Sequence, residues 1–395
     1  MSQNDFGLYT YLYSMIGAFS LILNFGLYLS QSKLYHDYNK EERGSLLFSI
    51  NVVLFLSLLV LFVPMYLFNL DTYLVHILFL HPFNYPAYRG ILLLAFIVSV
   101  YIFMTQNFFM TSENIKKYQW YNLFRLLIVN GIVIYALTLK NADGAFVRLK
   151  YYFLCELPIM LGFGWYYFRE MKFHVEMKYI RKAVKIGYPA MLSAVLGMIF
   201  NFSDKFILEK YGNFSDLAVY NLAFTLASIL MVVYTSFQAV YQPIFFKEKN
   251  VEKNLHKTFA LAMRIMVIFF FLGLAIYFGV KFMLAYHIIQ SKYDAILLIL
   301  PILLLTQALQ ALMMLFLNYI TYFEIVYVGT MVSLVLSVLN VSLNLILIPR
   351  YNINGAAISA LINNVCALLF YYYFITNRCK KIIARQKLET EASSN

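Results

Sequence analysis

The chain has 395 residues, of which 62% are hydrophobic, 18% aromatic and 13% charged, with a formal charge of +12 at pH 7. Soluble domains carry about 25% charged residues, so an ordinary water-soluble globule is excluded. The cationic surplus is no sign of nucleic-acid binding, because Lys and Arg near the ends of membrane spans chiefly set orientation.

About 20 apolar residues in a helix cross a hydrocarbon core roughly 30 Å thick. In chain order the sequence predicts eleven such spans: 7–30, 46–68, 89–111, 119–139, 150–168, 186–208, 216–241, 258–280, 295–320, 325–348 and 355–376. The start carries no basic stretch, short apolar core and small-residue cleavage motif of a signal peptide. Between the second and third spans, "NLDTYLVHILFLHPFNYPAYR" has an apolar run too short to cross, with Pro82 and Pro86 against its continuing as a helix. It reads as an interfacial loop, with His76 and His81 at the surface. The expected fold class is therefore all-α, a polytopic helical membrane protein.

Alternating the loops places 31–45, 112–118, 169–185, 242–257, 321–324 and the tail on one side, with 20 of the 31 Lys and Arg. That side is expected to be cytoplasmic, so the C-terminus lies inside and Met1 outside. The loop 140–150 is basic on the opposite side. The segment "REMKFHVEMKYIRKAVK" (169–185) reads as a basic cytoplasmic linker between an N-terminal lobe, 1–168, and a C-terminal lobe, 186–377, followed by a tail, 378–395.

An internal repeat supports the two lobes. A shift of 211 positions brings Asp5 onto Asp216, Tyr9 onto Tyr220, Asn107 onto Asn318, Cys155 onto Cys366, and "NADGAFV" (141–147) onto "NINGAAI" (352–358). Span 186–208 then maps before residue 1, so the first repeat reads as lacking its opening helix. Repeats of six spans enter the membrane in the same sense and are related by an axis along its normal, enclosing a cleft that opens to either side when one half rocks.

The segment "GYPAMLSAVLGMIFNFSDKFILEKYGNFSDLAVYNLAFTLASIL" resembles the start of the second lobe in oligosaccharide flippases of the MOP superfamily. "DFGLYTYL" resembles the same loop of the first lobe, and "LNVSLNLILIPRYNINGAAISALINN" that family's last two helices. The similarity spans essentially the whole chain and is greatest to O-antigen (Wzx-type) flippases. The family has twelve spans; eleven are visible here. The resemblance implies transfer of an undecaprenyl-pyrophosphate-linked oligosaccharide, as in lipopolysaccharide biosynthesis, from the cytoplasmic to the periplasmic leaflet of the bacterial inner membrane. It also implies a monomer working beside glycosyltransferases and a polysaccharide polymerase, in contact with membrane lipids and not with nucleic acid.

Such cargo needs a polar, cationic cleft within the bilayer, where a charge costs at least about 2.5–3.5 kcal/mol unless it faces a cavity or partner. Asn201, Asp204 and Lys205 share a helix face at i, i+3 and i+4. They read as a cleft-facing group that meets substrate or gates the outer side, or as an interfacial cluster with Lys205 snorkelling. Arg264 lies about 10 Å into its helix beyond Lys257. It reads as a phosphate ligand in the cleft or as a snorkelling side chain, and Arg125 poses the same choice. Glu156 is the candidate for a coupling proton or Na⁺, against a plainer role as partner of an interfacial cation. Amides at Asn340, Asn344, Gln307, Gln310, Asn107 and Asn318 are expected to bond neighbouring helices.

No catalytic, cofactor-binding or metal-ligating pattern stands out, so no enzyme, cofactor or metal is expected. Cys155, Cys366 and Cys379 form no disulfide or metal spacing. Three other readings stay open: a drug or cation antiporter of the same superfamily, a membrane-embedded polysaccharide polymerase, and an inactive truncated fragment. Antiporters of that superfamily rely on buried carboxylates, of which few lie deep here; a polymerase normally needs a large polar outer loop, and 69–88 is short and mostly apolar.

Overall fold

The computed structural model describes residues 1–139, 143–323 and 325–394, and among them there is no β-strand. Fourteen α-helices follow in chain order: α1 (Gln3–Leu23), α2 (Leu27–Asp37), α3 (Lys40–Leu67), α4 (Leu70–Leu78), α5 (Tyr85–Thr111), α6 (Ile115–Phe124), α7 (Asn130–Leu139), α8 (Gly144–Arg169), α9 (Met177–Tyr211), α10 (Phe214–Ala227), α11 (Ile229–Lys247), α12 (Val251–Ala285), α13 (Ile296–Tyr322) and α14 (Val326–Ser394). A single π-helical segment, Arg125–Val129, joins α6 to α7.

Local chemistry sets the ends. Ser2 and Asp5 form a reciprocal capping box at the start of α1, meeting backbone donors that have no partner within the helix. Phe25 and Gly26 take left-handed φ values of 53° and 68°, breaking the first long apolar segment into α1 and α2. Asp143 caps α8, accepting from the Phe146 N–H at 3.0 Å. The 69 residues of α14 bend at Asn352, whose φ and ψ are 50° and −127°.

The chain forms two compact units, Met1–Ser215 and Asp216–Asn395. In the first, the lower half of α3 packs into a core with α5 and α8, built on Leu46, Leu47, Ile50, Leu54, Met104, Phe108 and Tyr167. Polar residues thread it: Asn51 donates to the Tyr167 hydroxyl at 2.5 Å, which donates to Gln31 at 2.5 Å. In the second, α13 packs extensively on α14 and α12.

Residues that the 211-residue shift aligns make the following contacts within their own units. Asp5 lies against Gly144 at the start of α8, and Asp216 accepts from Asn352 at 2.7 Å, three residues before Gly355. Asn107 donates to the Tyr28 carbonyl on α2 at 2.8 Å, while Asn318 accepts from Gln238 on α11 at 2.7 Å.

Several sequence expectations are revised. Among the described residues, nine helices are long and apolar enough to cross a membrane, against eleven expected. The difference lies in α8, where Glu156, Pro158 and several tyrosines dilute the hydropathy, and in α14, which carries two expected spans across the Asn352 bend. The segment 69–88 is not all loop, since α4 occupies Leu70–Leu78. The linker is shorter than 169–185: α9 starts at Met177 and takes in Lys178, Arg181, Lys182 and Lys185.

Span 186–208, expected to open the second lobe, groups with the first unit. At its lower end Ser30 donates to the Ala183 carbonyl at 2.6 Å. A Cβ on Gly187 would stand 2.8 Å from the Phe25 carbonyl, so only glycine lets α9 approach the α1–α2 break so closely. At its upper end the Glu209 carboxylate, 1% exposed, accepts from the N–H groups of Leu80 and His81 at 3.0 Å each.

Candidate functional site

Helix α8 carries Arg148, Tyr152 and Glu156 at four-residue spacing, so consecutive members are neighbours one turn apart. Glu156 lies 12 residues into α8, about 18 Å along its axis, near the middle of that helix. Its side chain is fully buried and forms an ion pair with Arg125, which is 27% exposed. Arg125 reaches it from the first residue of the π-helical turn. Such turns carry one extra residue per loop and recur at functional sites. The two candidates that the sequence could only weigh singly are thus one ion-paired unit.

Aromatic hydroxyls extend the pair toward α1. The Tyr152 and Tyr13 hydroxyls lie 3.1 Å apart, and Tyr13 stacks on Tyr9 with centroids 5.8 Å apart. The Arg148 guanidinium covers the Tyr9 ring at 4.1 Å and the Phe6 ring at 5.2 Å. Cation–π contacts of this kind strengthen when shielded from water. They give a structural reason for a cation in the loop 140–150, which is basic against the orientation rule.

On α9, Asp204 and Lys205 are both buried, each 9% exposed. The Lys205 ammonium donates to the Ser14 hydroxyl at 3.0 Å, next to Tyr13 on α1. Asp204 accepts from the Lys205 backbone N–H at 2.8 Å. Lys205 therefore enters the helix packing of the first unit, and does not snorkel. Asn201 lies in α9, but its side chain is outside the described residues.

The first unit thus holds the Arg125–Glu156 pair and the Asp204–Lys205 pair, which reach α1 at Tyr13 (through Tyr152) and at Ser14. Arg264 belongs to the second unit, on an exposed face of α12 among exposed Met263, Met266, Val267 and Ile268. Sequence reasoning missed Arg148, Tyr9, Tyr13, Ser14 and Tyr152. The spacing of Arg148, Tyr152 and Glu156 was available as a signal, but abundant tyrosine elsewhere masked it.

A second polar group lies around α4. Asp71, 5% exposed, accepts from Arg89 at 2.6 and 3.0 Å and from the Tyr85 hydroxyl at 2.5 Å. Burial alone would raise the Asp71 carboxyl, but the hydrogen bonds from Arg89 and Tyr85 and the Arg89 charge hold it below the ordinary carboxylate value. Among the described residues, no group of three His, Cys, Asp or Glu could hold a metal ion.

These helices and charged seams define a multi-pass membrane protein with the fold of MOP-superfamily transporters and flippases. An inward-closed structure of the lipid II flippase MurJ matches with a TM-score of 0.71 and 17% identity, over 94% of this chain and 81% of that one. An inward-facing MATE multidrug-resistance transporter of the MOP superfamily matches with a TM-score of 0.73 and 15% identity, over 96% and 91%. An outward-facing MATE transporter matches with a TM-score of 0.56 and 15% identity, over 95% and 88%. The chain belongs to the polysaccharide biosynthesis protein family, whose model matches residues 1–249. A search of the curated proteins finds no match.

Proposed function

We propose that this protein moves an undecaprenyl-pyrophosphate-linked oligosaccharide, such as an O-antigen or other surface-polysaccharide unit, from the cytoplasmic to the periplasmic leaflet. Transfer proceeds by alternating access, with the C-terminus in the cytoplasm of a bacterial inner membrane. The buried charge cluster of the first unit carries this reading. Arg125, Arg148 and Lys205 supply this unit's polar groups with cations, Arg125 against Glu156 and Lys205 beside Asp204. Arginine and lysine side chains held within the helix packing suit a pyrophosphate and oppose a cationic drug, which weighs against the antiporter reading. Arg125 offers a planar fork matched to phosphate oxygens, and the tyrosine row offers hydroxyls and ring faces for sugars. Arg264, on the second unit, is a separate candidate phosphate contact, and Glu156 exchanges its Arg125 partner for the coupling ion when phosphate arrives.

The test is transfer of fluorescent undecaprenyl-pyrophosphate oligosaccharide in proteoliposomes. A charge-assisted hydrogen bond contributes about 1.5–3 kcal/mol, so Arg125→Ala and Arg264→Ala should each lower the rate by roughly ten- to a hundredfold, with insertion unchanged. Wild-type rates in both variants at equal protein level would remove the cluster and Arg264 from the transport path. Export of cationic dyes with no transfer of the lipid-linked glycan would favour the antiporter.

A further inference from the structure

The Arg125–Glu156 pair has a further neighbour that the proposed cycle leaves without a part. Tyr121 lies on α6, one helical turn before Arg125, and is fully buried. The Phe163 ring of α8 meets its ring edge-on, with centroids 5.1 Å apart. The Glu156 and Arg125 charges both act on Tyr121, so its hydroxyl lies within electrostatic reach of each. Asn122, the next residue, accepts from Gln106 on α5 at 2.9 Å, which fixes the rotation of α6 and presents Tyr121 and Arg125 together. Tyr13, Tyr121 and Tyr152 all act electrostatically on Arg125. The hydroxyls of Tyr13 and Tyr152 bond each other at 3.1 Å. The Tyr121 hydroxyl has no hydrogen-bond partner among the described residues. A buried hydroxyl in that condition has lost its water and gained nothing in return, and such a group in a charged site calls for a role.

The transport cycle supplies one. When Arg125 turns to phosphate, Glu156 stays fully buried, and until the coupling ion arrives it has no counter-charge. A buried carboxylate stripped of its partner is strongly disfavoured, and that cost opposes the opening of the pair. We infer that Tyr121 is a positioning residue for transport: once Arg125 leaves, its hydroxyl donates to the Glu156 carboxylate and holds it until the ion binds. A tyrosine hydroxyl can donate as well as accept, and hydrogen bonds to ionised acceptors are stronger than those between neutral groups. The closed pair leaves the hydroxyl unsatisfied and the open pair satisfies it. Both states therefore push the same way, toward release of Arg125. The inference rests on the proposed use of Arg125 as a phosphate ligand.

Tyr121→Phe removes only the hydroxyl and should move stability and binding in opposite directions. Without an unsatisfied group the resting protein should melt at or above the wild-type temperature. With no donor for the freed carboxylate, inorganic pyrophosphate titrated into purified protein in nanodiscs should bind roughly tenfold more weakly. Transfer of the fluorescent lipid-linked glycan in proteoliposomes should slow as well. In a Glu156→Gln background Arg125 has no carboxylate to leave. Adding Tyr121→Phe there should change pyrophosphate affinity by less than about twofold, a coupling that the double-mutant cycle isolates. A lowered melting temperature in Tyr121→Phe would show the hydroxyl to be bonded in the resting protein and would overturn the inference. Undiminished pyrophosphate affinity, or an equal loss in both backgrounds, would overturn it too. Absence of pyrophosphate binding to wild type, or binding by Arg125→Met as tight as wild type, would instead overturn the phosphate reading of Arg125 beneath it.

Discussion

Neutralising Glu156 separates a packing role from a transport role. In wild type, the fully buried carboxylate is balanced by Arg125. Glu156→Gln keeps the shape but strands the guanidinium without its counter-charge. Breaking a buried pair from one side costs about 3–5 kcal/mol, and the 27% exposure of Arg125 places this case near the lower bound, about 3 kcal/mol. For a cooperative unit the size of Met1–Ser215, 1 kcal/mol shifts the melting temperature by about 2–4 °C. A drop of roughly 6–12 °C is expected in a detergent melt followed by gel filtration. Replacing both members, as Arg125→Met with Glu156→Met, removes charge and counter-charge together and should melt within about 3 °C of wild type or above it. The same double variant should fail to transfer the lipid-linked glycan. A Glu156→Gln melt within 2 °C of wild type would refute the stability argument, and full transfer by the double variant would refute the functional one.

Three further outcomes follow from the packing around α4 and α9. Because the Asp71 carboxyl is held low, its stabilising contribution is complete above the unfolded-state value near about 3.9 and is lost as pH falls through the folded one. The melting gap between wild type and Asp71→Asn should therefore be constant from pH 8 to about 5 and close below about 4; a gap that widens on acidification would reverse the sign. Glu209→Ala removes the acceptor for the Leu80 and His81 N–H groups, so limited proteolysis should cut between Phe79 and Asn84 at least tenfold faster, and unchanged cutting would show the tie to be dispensable. Gly187→Val drives a Cβ to 2.8 Å from the Phe25 carbonyl and should cost about 1–3 kcal/mol, visible as a lower melting temperature, whereas a wild-type melt would mean that the α1–α2 break yields.

Charge-free windows of membrane length made the helical class legible, and the 211-residue shift was legible because its matches recur at both ends of the repeat. The same shift assigned 186–208 to the second lobe by ancestry, yet close contacts at Ala183, Gly187 and Glu209 seat that helix in the first unit. No period within α9 announces which neighbour fills its face. The Arg125–Glu156 pair was legible only as two separate residues, because they stand 31 positions apart on different helices. The loop 140–150 was read as basic on the opposite side, without its Arg148 being singled out, because sequence shows a charge's place in a loop but not the Tyr9 ring beneath it.

The five residues Arg125–Val129 act as a phase shifter within one continuous rod. Each additional residue in an α-helix turns the next side chain by about 100°, so the wider turn offsets everything from Asn130 onward against everything before Phe124. One helical wheel drawn through 115–139 would misplace the whole second half. Deleting a single residue from this stretch would restore regular winding, swing either the guanidinium or the following apolar stripe out of alignment, and show which of the two orientations the extra residue was retained to preserve.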